Sequence, residues 1–573
     1  MKMVSSIIDN LLHHCNPSVT RNLENFTTET ARCGMRACAF PPFASLGRAF
    51  QGLVWSVGGG FRYMGKTIGL VSKAWRPAAV KRLRAAAGMA GLPLALAVAA
   101  GCASTKHLQE AETLYCAGQY AEAALAAGSH LPDSDGDSNG RGKADYILDN
   151  LYVGSAALMA DDAEGAAEAF GNAVEGVAEQ DDSAFGAGYP TRTYDVSMAA
   201  NYRALALWSE GDIDATRIAY RQTADAQERA DDRNARAIRK AEDEAEKRKA
   251  EEEEKAGKDA AAKGDSSDGV LATFLKAVSD GDIKKQLDDY QAEYSAWSVY
   301  NDFQMPSTWF LDGLFALANA EEANDLEHAS FAARKAGEME PSLPAKALYN
   351  LAEARADGKL TEKALDKVFA VVFENGLGPE IEERRFDIPM PYNGSVYMLS
   401  FALPKLVRRG AAYPGLIVRD GAVQIGSTVP VGDIDRVAVR EFKARLPGIV
   451  ASQTFEAAVK LAVQVVIVEA VKKKGGAQAA FLASLATSSA SSAITGTDTR
   501  HWNLLPKEVQ ACLLRKPKTP DRTVELWVPG AVEPLARVSL PEKGLSVIYV
   551  KAPAPGLPPL VKLLGGTPDG ERR

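Results

Sequence analysis

Apolar and small residues recur along much of this chain at helical spacing behind a turn-forming residue. After Gly118 (GQYAEAA), Tyr120 lies two positions on and Ala123 five. After Asp161, Ala166 lies at five, Phe170 at nine and Ala173 at twelve; after Gly211, Ile213 lies at two and Tyr220 at nine. After Asn324, Leu326 lies at two, Ala329 at five, Ala336 at twelve and Pro341 at seventeen, and Gly358 follows Asn324 by 34 residues with Leu360 at two. Such offsets put one face of each segment on a single helical stripe, so helix–turn–helix pairs are predicted. Asp225 to Lys263 consists almost wholly of Ala, Glu, Lys, Arg and Asp and is predicted as a solvated helix with i,i+4 charge pairs, followed by a Gly264–Gly269 break. After Phe386 the pattern changes. Leu416–Gly426 predicts a hairpin around Asp420-Gly421, Val437–Arg445 and Thr454–Lys474 two helices, the second buried and too short to cross a membrane, and Thr523–Val528, Ala536–Leu540 and Ser546–Lys551 strands. Leu505-Pro506 is predicted to start a helix, PKEVQACLL.

The repeated offsets resemble the tetratricopeptide repeat, a helix–turn–helix unit of about 34 residues. Elsewhere the spacing is irregular, 43 from Gly118 to Asp161 and 50 from there to Gly211, and a non-repeat helical bundle is the alternative. The expected fold is mainly α, with TPR-like helical repeats followed by a smaller α+β C-terminal domain. The expected organisation is an N-terminal extension over 1–63, a signal segment over 64–101, repeats over 102–224, a charged helix and linker over 225–269, repeats over 270–386 and the α+β domain over 387–573.

Charge is divided unevenly. Of 66 basic and 74 acidic residues, residues 1–101 carry 12 and 3, which leaves 54 and 71 for the remainder. So acidic a body makes nucleic acid a poor partner, because phosphate neutralisation drives that binding. Lys66, Lys73, Arg76, Lys81, Arg82 and Arg84 precede the uncharged run Ala85–Gly101, an arrangement of secretory signals. The run ends in Ala99-Ala100-Gly101-Cys102, which resembles a bacterial lipobox, with Ala99 where Leu is favoured. The resemblance implies that Cys102 is diacylated and becomes the mature N-terminus, with two or three acyl chains giving stable anchorage. Ala103, rather than Asp, after the cysteine implies the outer membrane. Because 63 residues precede Met64, Met64 is the expected true start.

TDTRHWNLLPKEVQ (Thr497–Gln510) is similar to a D-x-R-x-W-x-x-L-P signature of a family of uncharacterised TPR-like bacterial lipoproteins, matched by Asp498, Arg500, Trp502, Leu505 and Pro506. Phe373–Pro379 (FENGLGP), Phe401–Pro404 (FALP) and Asn201–Ala206 (NYRALA) followed by Gly211-Asp212 also resemble motifs of that family; Met305-Pro306 departs from its Asn-Pro. Members of the family are often encoded beside activators of penicillin-binding proteins, which implies a setting in cell-wall assembly.

Catalytic chemistry is not expected. His107, His130, His328 and His501 show no paired metal-ligand spacing, and no G-x-S-x-G elbow accompanies His501 and Asp498. Asp498 and Arg500 are expected to pair, Trp502 to pack in the core, and His501 to face the surface. No catalytic, metal or cofactor site is assigned. Cys116 and Cys512 remain after lipidation, either as a disulfide across domains or as two separate thiols. The expected function is that of a periplasm-facing, outer-membrane-anchored scaffold or adaptor that binds a protein partner through its helical repeats, with peptidoglycan synthesis as the implied setting. The alternatives are an envelope hydrolase with a site in the C-terminal domain and a structural peptidoglycan-binding lipoprotein.

Overall fold

The computed structural model describes residues 106–131, 145–182, 189–239, 267–279, 281–494 and 496–565, together with 242, 243, 246 and 247. Cys102, the uncharged run before it, the 1–63 extension and most of the charged helix lie outside these residues. The start of that last segment is packed rather than solvated: Gln227, Ala230 and Asn234 are buried, and Gln227 accepts from the Met305 amide at 2.9 Å and donates to the Met305 carbonyl at 2.7 Å.

The chain is mixed α and β. Helices α1 (Lys106–Cys116), α2 (Tyr120–Gly128), α3 (Tyr146–Met159), α4 (Ala163–Asp182), α5 (Thr193–Glu210) and α6 (Ile213–Glu228) each pack on the next in sequence. So do α9 (Pro306–Ala318), α10 (Ala323–Met339) and α11 (Leu343–Ala356). Four of the five turn positions identified by spacing are left-handed, Gly118, Asp161, Gly211 and Gly358 having φ of +78°, +68°, +80° and +69°; the fifth, Asn324, instead lies in the first turn of α10, behind the N-cap Glu322. Asp162 and Asp212 then cap the following helices by accepting from the amides of Gly165 and Ala215, both at 2.9 Å. Five positions after Gly118, Asp161, Gly211 and Asn324 stand Ala123, Ala166, Thr216 and Ala329, all completely buried. Nine positions after them stand Ala127, Phe170, Tyr220 and Ala333, also buried. Small residues at these sites let neighbouring helices approach; a Cβ on Gly313 of α9 would stand 3.2 Å from the Ala333 amide nitrogen of α10.

The helical layer rests on a five-stranded sheet ordered β11 (Leu560–Leu564), β10 (Ser546–Ala552), β1 (Val368–Asn375), β7 (Glu508–Arg515), β6 (Val429–Asp433). The pair β1–β10 is parallel and the others are antiparallel. Period-two alternation divides the sheet between two cores. Ala370, Val372, Val509, Ala511, Val547 and Tyr549 join the helices in one core. Phe369, Val371, Phe373, Cys512, Ile548 and Val550 join Val418, Val524 and Leu526 in another. Those last three come from a second sheet, ordered β5 (Val423–Ser427), β4 (Ile417–Asp420), β8 (Thr523–Trp527), β9 (Ala536–Ser539). The body is thus a layer of helices, a sheet and a second sheet.

A third core builds an arm. Helices α7 (Ser267–Ser279), α8 (Gly281–Ala292) and α13 (Ile434–Ile494) enclose the inner face of a two-stranded ribbon, β2 (Glu380–Tyr392) and β3 (Ser395–Val407). Phe386 and Phe401 are register partners whose rings stack at 5.1 Å.

Three expectations are corrected. Residues 508–515 form strand β7, not a helix; both faces of this strand are covered, so its apolar run shows no alternation that would separate strand from helix. The two helices expected over 437–474 are one 61-residue helix that passes through Pro447, and its part Ile434–Glu469 is, by length and composition, long and apolar enough to cross a membrane; its apolar face here lines the arm core. Strands begin at Val368, so the 386/387 boundary falls inside β2. The hairpin at 416–426 forms with Gly421-Ala422 as its two-residue loop.

Gly376 ends β1 at φ +71°, and a Cβ there would stand 2.7 Å from the Gly410 carbonyl oxygen; Gly394, at φ +75°, has open space. Both Ala variants meet the left-handed penalty of about 1–2 kcal/mol. Gly376→Ala should therefore lose clearly more stability than Gly394→Ala in urea unfolding, and equal losses would refute the close approach as the cause.

Candidate functional site

The segments singled out in the sequence converge where the helices meet the five-stranded sheet. Asp498–Pro506 leads from the end of α13 into β7 as an irregular stretch. Arg500 straddles two carboxylates: Nε lies 2.9 Å from Asp498 Oδ1, and Nη1 lies 2.8 Å from Oδ1 of Asp145, the residue that opens α3. Trp502 is fully buried, donates from Nε1 to Ser155 Oγ of α3 at 2.9 Å, and packs against Phe170 and Tyr202 with ring centroids 5.9 and 5.8 Å away. Leu505 is buried, and its carbonyl accepts from the Gly378 amide at 2.8 Å; Pro506 brings its own carbonyl oxygen within 3.1 Å of where a Cβ on Gly378 would stand. Arg409 closes the junction by donating to the carbonyls of Gly378 and Asn503 and pairing with Glu112 of α1 at 3.4 Å. The FALP segment, Phe401–Pro404, stands apart in the arm.

Beneath Trp502 lies a buried charge pair. Glu374 of β1 and Lys551 of β10 are register partners on adjacent parallel strands. Lys551 Nζ donates to Glu374 Oε2 at 2.8 Å and to the Tyr202 hydroxyl at 2.8 Å, and that hydroxyl donates to Glu374 Oε2 at 2.8 Å. Burial and the carboxylate beside it push the Tyr202 phenol well above its ordinary range, so it stays protonated. Glu374 Oε1 and the hydroxyls of Tyr115 and Tyr549 are buried without a partner among the described residues. The Glu–Lys–Tyr constellation joins α5 to two strands inside one core and fixes the register between layers. Its mark in the sequence is one acidic and one basic residue, each alone in an apolar strand, AVVFEN and SVIYVKA.

His501 corrects an expectation. It is buried, not surface-facing. The Tyr194 hydroxyl donates to Nε2 at 2.7 Å, and Nδ1, as the protonated nitrogen, donates to Asn503 Oδ1 at 3.2 Å. Burial, then the Arg192 charge, pulls its pKa down to about 3. The adjacent element carries Asp195, which accepts from the Tyr189 hydroxyl and the Arg192 amide, both at 2.8 Å, and which burial pushes up to about 7. Glu441 of α13 accepts from the Thr193 amide at 2.9 Å and pairs with Arg445 at 2.6 Å. Asp498 is spent on Arg500 and His501 on Tyr194 and Asn503, so the two form no acid–base dyad.

Two other histidines meet single carboxylates, His107 with Asp149 at 2.8 Å and His328, partly buried, with Asp312 at 2.9 Å, and His130 stacks on His107 with ring centroids 3.9 Å apart. Among the described residues, no group of three or more His, Cys, Asp or Glu is placed to hold a metal. Cys116 is exposed and Cys512 buried, and both are free thiols; burial pushes Cys512 up to about 12. No protein-family model, curated protein or solved structure matches the chain.

Removing one member of a buried ion pair leaves the other uncompensated, at a cost of about 3–5 kcal/mol. Lys551→Met should lose that much in urea unfolding, and Lys551→Met with Glu374→Gln should recover most of it, because Gln still accepts from Tyr202. A double variant no better than the single would show that the pair is not coupled.

For His501 the folded pKa lies below the unfolded 6.5. The unfolded chain therefore takes up a proton first, and stability is lost as pH falls from about 6.5 toward 3. Asp195 acts oppositely, its folded pKa standing above 3.8, so the two slopes offset in wild type. Replacement isolates the histidine: His501→Gln should gain on wild type by about 1.4 kcal/mol per pH unit below 6. A difference between the two proteins that is constant with pH would rule this out.

Proposed function

We propose that this chain is a bacterial envelope lipoprotein, anchored through Cys102 in the outer membrane, facing the periplasm, and serving as a non-enzymatic adaptor in peptidoglycan assembly. Its helices act as TPR-like repeats, and their exposed faces take a protein partner. The observation that carries this reading is the recurrence of left-handed turns with buried small residues five positions on, which generates successive helix pairs in one layer. Single exposed apolar residues, Leu125 on α2 and Ile218 on α6, offer anchors on that layer. The anchorage rests on the signal pattern and the lipobox-like Ala99–Cys102. The hydrolase reading draws no support from His501, whose two ring nitrogens are both engaged inside the protein.

Two measurements test this reading. Labelled fatty acid should be incorporated into the wild type and lost in Cys102→Ala, which should leave the membrane fraction or remain unprocessed. A photocrosslinking residue at position 125 or 218 should capture one recurrent envelope protein, identified by mass spectrometry. Membrane attachment unchanged in Cys102→Ala, with no label on the wild type, overturns the anchor; absence of any recurrent adduct overturns the adaptor.

A further inference from the structure

The sheet face beneath the helices carries more polar oxygen than the Glu374–Lys551 pair uses. Along β1 and β10 the register sets Val372 beside Tyr549 and Glu374 beside Lys551. Residues two apart in a strand share a face, so Tyr549 stands on the same side of the sheet as the charge pair, diagonally from Glu374. Tyr115 of α1 belongs to the same core as Tyr549. Glu374, Tyr115 and Tyr549 are 1%, 0% and 2% exposed.

Of the two Glu374 carboxylate oxygens, Oε2 accepts from Lys551 and from Tyr202, both at 2.8 Å. Oε1 accepts from no described residue, and the hydroxyls of Tyr115 and Tyr549 bond to none either. Buried oxygens are rarely left in that condition, because each forfeits the bonds it made with water in the unfolded chain. Burial first, and then neighbouring groups that include Glu374, push the Tyr115 and Tyr549 phenols well above their ordinary range. Both therefore stay protonated, and each keeps an O–H to donate. Both also lie within the field of the carboxylate without standing in bonding geometry to Oε1.

Two donors and one anionic acceptor set the chemistry of what can join them. The bridging species must accept from two hydroxyls and donate to a carboxylate oxygen. An ammonium ion only donates, and a halide only accepts and would be repelled by Glu374. Water does both.

We propose that Tyr115, Tyr549 and Glu374 Oε1 form a binding site for a single internal water molecule, which accepts from the two hydroxyls and donates to the carboxylate. Three bonds are the usual complement of a buried water. The site ties α1, the first described helix, to β1 and β10, and it completes the hydrogen bonding around the Glu374 carboxylate. It rests neither on acylation of Cys102 nor on a protein partner.

The test uses the full chain and two isosteric variants, Tyr115→Phe and Tyr549→Phe, singly and together. Long-lived internal waters are counted in solution by magnetic relaxation dispersion, and wild type should hold one more than any of the three variants. In urea unfolding each single variant should lower the folding equilibrium constant about tenfold. The double variant should also lower it about tenfold, not a hundredfold, because the first loss already releases the water that both hydroxyls serve. A crystal structure of wild type should place one water oxygen within about 3 Å of all three protein oxygens. Equal water counts in wild type and the double variant, additive losses, or a Tyr549 hydroxyl bonded directly to Oε1 would each overturn the proposal.

Discussion

Glu374 and Lys551 stand side by side on neighbouring parallel strands, on the face of the sheet that the helices cover. Bringing both charges out of water costs several kcal/mol each, and the arrangement persists only while both partners and the Tyr202 hydroxyl are in place. The pair therefore constrains β1, β10 and α5 at once. A shift of one residue in either strand would turn one charge into the opposite, wholly apolar core between the two sheets. Trp502, lying over Tyr202 and bonded to Ser155, extends the same constraint to α3, and Arg500 and Arg409 carry it on to the start of α3 and to α1.

Seen from this centre, the D-x-R-x-W-x-x-L-P stretch and the segments around Tyr202 and Glu374 have a shared physical task. Each supplies one part of a junction between layers: a fork-shaped cation, an indole with one donor, a glycine at which backbones approach. Much of the junction is buried, and its charged groups pair with one another, which is the character of a structural joint. The surface proposed above to meet a partner lies elsewhere, on the helices.

Much of the helical layer was legible in the sequence because its signals are local. A left-handed Gly or Asp, a capping Asp and a small residue five positions on are each set within one turn of chain, and the structure puts Gly118, Asp161 and Gly211 at helix–helix turns. The hairpin at 417–427 and strands β8 to β10 were legible for a similar reason. Strands β1 and β7 were not, since cover on both faces removes alternation. The single helix α13 was hidden by Pro447, whose local effect is overridden by packing of the flanking turns on the ribbon. His501 lies between an exposed-looking Arg and a buried Trp, and only Tyr194, about three hundred residues earlier, reveals why its ring is inside.

The sheet also sets the order in which the chain can become a protein. Its central strand β1 is flanked by β7 and β10, and Tyr120, near the first described helix, donates to the Pro558 carbonyl at 3.4 Å. A ribosome that has delivered the helices has delivered a layer with one face still wet and Glu374 still without its lysine. Closure waits until the last of the sheet has emerged, so this topology of distant partners folds late. For the export route proposed above, that delay would be an advantage: the growing polypeptide would stay loose enough to be threaded through a narrow channel, and would acquire its shape on the far side.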